Sequence, residues 1–366
     1  MQRYLKVTGN TTFSPVSKRQ TPLMDALNPQ TVKPLTDHPD VPFGKIGVLL
    51  INLGTPDELT TGAVRRYLAE FLSDKRVVDY PSWLWQPLLR GIILNTRPRK
   101  TRAAYAKIWD QETHESPLRR YTREQADGVR QGLPSSLTVD WAMRYGNPSV
   151  ASRLDAMQAE GCDRILLVPL YPQYSATTTG TACDAAYRWA MAKPWQPAFR
   201  VVPAHHDDPG LIEALAELCR QHTDETTERV ILSFHGLPER YFKNGDPYHC
   251  HCQKTARLMR EVLGWDENFA PLAFQSKFGP ETWLGPSTES LVEAAGQEGL
   301  KKIAITTPGF VSDCIETLEE VGIGLAETFE EHGGETLTAI PCLNSSDAFI
   351  SVLTKLIKRE LGGWLA

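Results

Sequence analysis

The sequence predicts an α/β protein in which helices cover parallel sheets. Short runs of β-branched and aliphatic residues, such as 45–53 and 302–307, alternate with longer stretches in which apolar residues recur at helical spacing. Strands that are buried on both faces appear as continuous apolar runs of this kind. The 366 residues also suffice for two domains of ordinary size. We therefore expect two similar halves, each with a four-stranded parallel sheet flanked by helices.

Eight segments are the candidate strands. They are Lys45–Leu53, Leu137–Tyr145, Arg164–Leu170, Arg200–Pro203, Arg229–Phe234, Ala270–Gln275, Lys302–Thr307 and Thr336–Ile340. Amphipathic helices fit between them; Asp208, for example, is suited to cap a helix whose first residue is Pro209.

These elements divide the chain into four parts. Residues 1–44 lack apolar periodicity and are expected to form a flexible N-terminal extension; an organelle transit peptide is the alternative, because residues 1–24 contain four basic residues and no acid. Residues 45–205 and 206–345 are the predicted N-terminal and C-terminal domains. Residues 346–366 form a C-terminal helix, and its composition does not indicate which domain it joins.

Composition excludes several classes of function. The net charge of -5 provides no basic field for nucleic acid, and the longest apolar runs are far too short to cross a bilayer. No phosphate-binding glycine motif follows a strand, so nucleotide cofactors have no support. The seven cysteines are scattered and odd in number, which fits a reducing compartment and a cytoplasmic protein.

Two groups of residues follow predicted strands and are candidates for chemistry. His235 comes directly after the strand ending at Phe234, at the sheet edge where ligands of parallel sheets bind. Glu316 and Glu320 lie four apart at the start of a predicted helix, so they share a face on which a cation or protons could move. The alternatives are a histidine with ordinary hydrogen bonds and a solvated acidic face.

Two further stretches have alternative interpretations. His249-Cys250-His251-Cys252 resembles a set of metal ligands, but no second pair follows, so the start of a helix is favoured over a metal site. The segment at about 80–100 is rich in tryptophan and leucine and ends in basic residues. It is either a buried helix or an exposed apolar lip that receives an apolar ligand or touches a membrane surface.

Several segments, in order, resemble the ferrochelatase family between Lys45 and about Lys358. They are Leu53-Gly54-Thr55-Pro56, Tyr105–Trp109, Ser116-Pro117-Leu118, Arg144-Tyr145-Gly146-Asn147-Pro148, Tyr171-Pro172-Gln173-Tyr174-Ser175, Ser233-Phe234-His235-Gly236-Leu237-Pro238, Gly245-Asp246-Pro247-Tyr248, Phe274-Gln275-Ser276-Lys277, Gly279-Pro280, Trp283-Leu284-Gly285-Pro286 and Pro308–Glu320.

The resemblance implies a chelatase fold of two Rossmann-like domains with a porphyrin cleft between them. It also implies that the chain inserts Fe²⁺ into protoporphyrin IX, as the last step of haem biosynthesis. His235 and Glu316 are then the catalytic residues and the Fe²⁺ ligands, with Glu320 and Asp313 on a path for protons or metal. The porphyrin-binding residues carried over from the family are Arg144, Tyr145, Ser175, Trp283 and Phe310.

This chain departs from some relatives. Cys314 stands where the animal enzymes that it resembles have a histidine, which leaves one imidazole fewer for metal delivery. Animal and some bacterial members also hold an iron–sulfur cluster through cysteines near the C-terminus, whereas the last cysteine here is Cys342. We expect no cofactor and no cluster, with Fe²⁺ acting as a substrate.

Two alternative functions remain open on sequence alone. A chelatase that loads another metal into a modified tetrapyrrole would share the fold and differ in substrate. A porphyrin or haem carrier without catalysis would keep the apolar cleft but would need neither His235 nor the acidic row. The partners expected are therefore porphyrin and ferrous iron, with peripheral membrane contact through the lip as an open alternative and no nucleic acid.

Overall fold

A computed structural model describes residues 41–279 and 281–365. The predicted N-terminal extension, residues 1–44, lies almost entirely outside the described residues, so its prediction stays untested. From Pro42 onward the chain forms one compact unit.

Eight strands, within the described residues, form two four-stranded sheets. They are β1 (Lys45–Gly54), β2 (Leu137–Tyr145), β3 (Cys162–Pro169), β4 (Ala198–Val201), β5 (Arg229–His235), β6 (Leu272–Gln275), β7 (Lys302–Thr306) and β8 (Thr336–Ala339). The strand orders are β2-β1-β3-β4 and β6-β5-β7-β8, and all neighbours are parallel. Most of β1 and β5 is buried, which explains their continuous apolar sequences. The predicted fold class is confirmed.

Helices cover these sheets and connect their strands. The α-helices are α1 (Thr61–Ser73), α2 (Ser82–Leu88), α3 (Leu94–Ile108), α4 (Pro117–Gly132), α5 (Val150–Ala159), α6 (Thr181–Met191), α7 (Pro209–His222), α8 (Glu239–Lys243), α9 (Tyr248–Leu263), α10 (Thr288–Gln297), α11 (Ala326–Glu331) and α12 (Asp347–Glu360). The π-helical segments are π1 (Leu89–Ile93), π2 (Ala176–Gly180) and π3 (Glu316–Leu325). Asp208 caps α7 as predicted, because its carboxylate accepts from the backbone N–H of Gly210 at 2.9 Å.

The two sheets share apolar packing. One cluster of buried residues includes Val48 and Leu50 of β1 together with Val230 and Leu232 of β5. Side chains from both sheets therefore stabilise the same core. The domain boundary near residue 205 stays a prediction.

The C-terminal helix α12 packs on α4, α7 and β3. Glycines on α4 allow the close approach: a Cβ atom at Gly128 would lie 2.9 Å from Cδ1 of Ile350, and one at Gly132 would lie 3.0 Å from Oγ1 of Thr354. The helix thus contacts elements from both halves of the sequence, chiefly the first, which composition alone did not indicate.

Candidate active site

The carboxyl ends of three neighbouring strands bring the candidate site together. β5 ends at His235, β6 ends at Gln275, and β7 ends at Thr306, from which the chain continues towards π3. Because β5 lies between β6 and β7 and all three are parallel, their carboxyl ends share one edge of the second sheet. Ligands of open parallel sheets collect at this edge.

One ring nitrogen of His235 contacts the backbone, and the other does not. Its Nδ1 atom lies 2.6 Å from the carbonyl oxygen of Gly236. A carbonyl oxygen can only accept, so Nδ1 is the donor in this contact, and the lone pair of the neutral imidazole lies on Nε2. The hydroxyl of Tyr248 donates to the backbone carbonyl of His235 at 3.0 Å and fixes the strand end. Nε2 is therefore the nitrogen that can accept a proton or bind a metal.

Gly236 is required by the close approach of its neighbours. Its N–H donates to the carbonyl oxygen of Gln275 at 2.7 Å. A Cβ atom at this position would lie 2.6 Å from that oxygen and 3.0 Å from Cε3 of Trp283. Any larger residue would displace β6 or the indole ring, both of which adjoin Gly236. Phe310 also lies nearby, with its ring centroid 6.3 Å from that of His235.

A small cavity beside His235 is lined by both halves of the chain. Its volume is about 50 Å³, and its walls are formed by Ser175, Thr177, Thr178, His235, Gly236, Leu237 and Tyr248. Ser175 is held on this wall because its Oγ donates to Asp246 at 3.0 Å. Pockets for organic ligands are typically about 300–1,000 Å³. This cavity is much smaller than a macrocycle, so it can form only a part of a site for one.

The acidic row lies on π3, whose turns are wider than those of an α-helix. Such turns are frequent at functional sites. The two carboxylate oxygens of Glu320 accept hydrogen bonds from the N–H and the Oγ of Ser276, at 2.7 and 2.6 Å. Burial raises the pKa of Glu320 and the charge of Glu316 raises it further, whereas Ser276 and the charge of His235 lower it. The charges of His235 and Glu316 therefore both act on Glu320.

Asp313 is buried and fully occupied by hydrogen bonds. Its carboxylate accepts from the hydroxyl of Thr317 at 2.9 Å, from Nδ2 of Asn344 at 2.7 Å and from the N–H of Cys342 at 3.2 Å. These bonds fix the turn that leads into π3. This geometry favours a structural role, so the predicted part in a proton or metal path stays an untested prediction. Cys314 is also buried, and burial raises the pKa of its thiol.

Arg144 and Tyr145 belong to a buried polar network at the end of β2. The guanidinium of Arg144 binds the carboxylate of Asp74, and the hydroxyl of Tyr145 donates to the same carboxylate at 2.9 Å. Thr181 donates to it as well. Tyr145 has no exposed surface and Arg144 is 9% exposed, so neither presents a free face to a ligand in this conformation. Their predicted contact with a porphyrin stays untested.

The four residues His249-Cys250-His251-Cys252 at the start of α9 differ in their burial and in their neighbours. The ring of His251 stacks on that of His206, with centroids 3.8 Å apart, and its Nδ1 accepts from the N–H of Tyr174. Cys250 is exposed and Cys252 is buried. Across residues 41–279 and 281–365, no three His, Cys, Asp or Glu side chains are placed to hold a metal ion together. The helix start favoured from the sequence agrees with this arrangement.

The segment at 80–100 exposes apolar side chains. Trp83 is 79% exposed, Ile92 is 57% exposed and Leu84 is 54% exposed. The hydroxyl of Tyr80 donates to Glu281, which ties the segment to the chain near Trp283. Of the two alternatives, the exposed lip therefore fits the structure better than the buried helix. No helix among the described residues combines the length and apolar character needed to span a membrane.

Sequence reasoning missed three residues around the site. Ser276 binds Glu320, Gln275 donates to the carbonyl oxygen of Glu316 at 2.9 Å, and Asp74 pairs with Arg144. Gln275 is the last residue of β6 and Ser276 follows it, so both lie at a strand end, which is the positional signal that identified His235. Asp74 has no such signal, because it lies at the end of α1.

Comparisons with known proteins identify the family of this chain. The family model for ferrochelatase matches residues 45–361. Curated ferrochelatases from Agrobacterium fabrum and Rhizobium meliloti are 54% and 53% identical, each over 90% of this chain and over 97% and 99% of their own lengths.

Solved structures show the same fold at low identity. SirB from Bacillus subtilis with Fe³⁺ is 11% identical, with a TM-score of 0.52, over 88% of this chain and 97% of that one. The sirohydrochlorin chelatase SirB from B. subtilis subspecies spizizenii, in complex with cobalt, gives a TM-score of 0.51 at 9% identity over the same shares. The predicted chelatase-like fold and the predicted family are both confirmed, and the chain belongs to the ferrochelatase family.

Proposed function

We propose that the chain inserts Fe²⁺ into protoporphyrin IX and releases two protons, forming protohaem in the last step of haem biosynthesis. Relatives that match nearly their whole length at 54% and 53% identity are named ferrochelatases. The observation that carries the proposal within the structure is His235: its Nδ1 is held by the backbone, its side chain lines a cavity, and its charge acts on Glu320 of π3.

The reaction replaces two pyrrole protons by one divalent ion, so the site must accept protons while it delivers iron. Nε2 of His235 is the proposed acceptor of pyrrole protons. Glu316 balances the charge, and Glu320 passes protons or iron along π3. The reverse assignment, in which Glu316 accepts the pyrrole protons and His235 balances the charge, is the alternative.

Ferrous iron is a substrate here, and a substrate ion must leave its ligands. His235 and Glu316 are the proposed ligands, since imidazole and carboxylate both suit Fe²⁺. An incomplete set of protein ligands holds the ion weakly, and the pyrrole nitrogens can then take it over.

The porphyrin would lie in the cleft beside this edge of the second sheet. Trp283 and Phe310 border His235 and are the proposed packing surfaces for the ring. Ser175 lines the opposite side of the cavity. Gripping and bending the ring would turn its nitrogen lone pairs outward, at a strain of about 1–5 kcal/mol met by binding energy elsewhere on the ring. Arg144 and Tyr145 would reach the ring only after their network opens.

The lip is the proposed contact with a membrane surface and with apolar substrate. Its exposed tryptophan and isoleucine lie beside basic residues such as Arg97 and Arg99, a combination that suits an anionic bilayer surface. We further propose a cytoplasmic, peripheral location and catalysis without an iron–sulfur cluster.

A panel of metals and tetrapyrroles tests the function against its alternatives. Under anaerobic conditions, the rate of Fe²⁺ insertion into protoporphyrin IX, followed by the haem Soret band, should exceed the rate of cobalt or nickel insertion into sirohydrochlorin. Faster insertion of cobalt or nickel into sirohydrochlorin would indicate a chelatase for a different metal and tetrapyrrole. Binding of protoporphyrin without insertion of any divalent metal would indicate a carrier.

A further inference from the structure

The first two residues at the carboxyl end of β6 hold both acids of π3. Nε2 of Gln275 donates to the backbone carbonyl of Glu316 at 2.9 Å. The Oε1 atom of the same amide accepts from the Oγ of Ser233 at 2.7 Å, which fixes the amide from the other side. Both ends of this buried amide are used. Gln275 thereby ties the first residue of π3 to the sheet.

Ser276 holds the second acid in a different way. Its N–H and its Oγ bind separate oxygens of the Glu320 carboxylate, at 2.7 and 2.6 Å. Its backbone has a φ of 63°, in the left-handed region that residues other than glycine, asparagine and aspartate rarely adopt. Backbone outliers of this kind persist where the surroundings fix them, and they concentrate at functional sites. Here the conformation directs two donors at one carboxylate.

We propose that Ser276 is a positioning residue for metal insertion, which holds the Glu320 carboxylate on the side of π3 that faces His235. The proposal rests on the proposed function of the acidic row and adds a residue to it. Two donors stabilise the charged carboxylate over the neutral acid. The N–H and the hydroxyl of Ser276 thus favour a charged carboxylate that is fixed in position.

Two substitutions separate the hydroxyl from the backbone. Ser276→Gly keeps the N–H and permits the positive φ, but it removes the Oγ donor. Ser276→Asn also tolerates the positive φ, and its amide supplies a replacement donor. Each is made alone and together with Glu320→Gln, in the full chain. Ser345→Gly is the matched control. The Oγ of Ser345 also donates to a glutamate, Glu124, at a distance of 2.6 Å, but this pair lies outside the acidic row.

The pH profile of kcat/KM for Fe²⁺ insertion is the first readout. Loss of one charge-assisted hydrogen bond should move the acid limb of Ser276→Gly upward by about one pH unit. Ser276→Asn should restore part of this shift, and Ser345→Gly should show none. In the Glu320→Gln background, Ser276→Gly should cause no shift. An unchanged profile in Ser276→Gly, or an equal shift in both backgrounds, would overturn the proposal.

A second readout does not depend on activity. Carbon NMR of glutamate carboxyl groups follows the titration of Glu320, whose resonance is identified by its loss in Glu320→Gln. We expect it to titrate at a higher pH in Ser276→Gly than in the wild type. Equal titration would overturn the positioning role even in an active enzyme. If the titration shifts but the wild-type protein inserts no iron, the proposed function is rejected, whereas the effect of Ser276 on the Glu320 carboxylate is confirmed.

Discussion

The hydroxyl of Tyr145 lies 2.9 Å from Oδ2 of Asp74, and the guanidinium of Arg144 binds the same carboxylate. The side chains of Asp74 and Arg144 are each 9% exposed. The contact joins the end of α1 to the end of β2, at the carboxyl edge of the first sheet. Breaking a buried ion pair is costly, because the remaining charge stays buried without its partner.

Substitution of Asp74 should therefore destabilise the protein strongly. We expect Asp74→Ala to lower the free energy of unfolding by about 3 kcal/mol, and Asp74→Asn by less, since the amide oxygen can still accept. Urea unfolding followed by circular dichroism measures both. Asp127→Ala is the control, because Asp127 and its partner Arg130 are each 49% exposed and should contribute less than about 1 kcal/mol. Equal losses at the two sites would contradict this assignment.

The contribution of Asp74 should also depend on pH. Burial opposes its charge, but hydrogen bonds from Thr181 and from the N–H of Arg76, together with the charge of Arg144, lower its pKa below the ordinary value. A lowered pKa in the folded state stabilises the protein above the unfolded pKa, and this stability is lost as the pH falls. The difference between wild type and Asp74→Asn should shrink from about pH 5 towards about pH 2. A constant difference would show that the charge contributes nothing.

The charge of Glu320 should affect the free energy of unfolding in the opposite direction from that of Asp74. Burial raises its pKa in the folded state, so the charged form destabilises the fold, and the cost grows as the pH rises through that pKa. Glu320→Gln should increase the free energy of unfolding by about 1 kcal/mol at neutral pH. The gain should vanish below about pH 4, where the carboxyl group is neutral in both states. A less stable variant at pH 7 would contradict the account.

Apolar side chains of the lip should decide membrane binding. Trp83→Ser combined with Ile92→Ser should lower cosedimentation with vesicles that contain anionic lipid by about tenfold or more. Stability should change little, because both side chains are exposed. Met191→Ser removes an equally exposed apolar side chain outside the lip and serves as the control. Equal binding by all variants would mean that the lip does not dock on lipid.

The strands were predictable because burial on both faces leaves a continuous apolar run. Predicted and observed bounds agree within about two residues, for example Lys45–Leu53 against Lys45–Gly54 and Lys302–Thr307 against Lys302–Thr306. His235 was found because it follows a strand. The docking of α12 was not predictable, since it depends on glycines of α4 that are distant in sequence.

The finer features of the site depend on contacts that sequence spacing does not encode. Sequence spacing does not reveal the π-helical form of residues 316–325, the left-handed backbone of Ser276 or the contact between His235 and the carbonyl oxygen of Gly236. The burial of Tyr145 arises from packing against α1. Position at a strand end identified His235 as a candidate, but it did not predict how its side chain is held.

The most direct test of the central claim is anaerobic insertion of Fe²⁺ into protoporphyrin IX, followed by the Soret band. Wild type is compared with His235→Ala and Glu316→Gln, with porphyrin binding measured in parallel. We expect wild type to form haem, and both variants to bind porphyrin but lose about 10²-fold or more of the rate. Wild-type rates in His235→Ala would contradict the assignment of Nε2 as the proton acceptor and metal ligand.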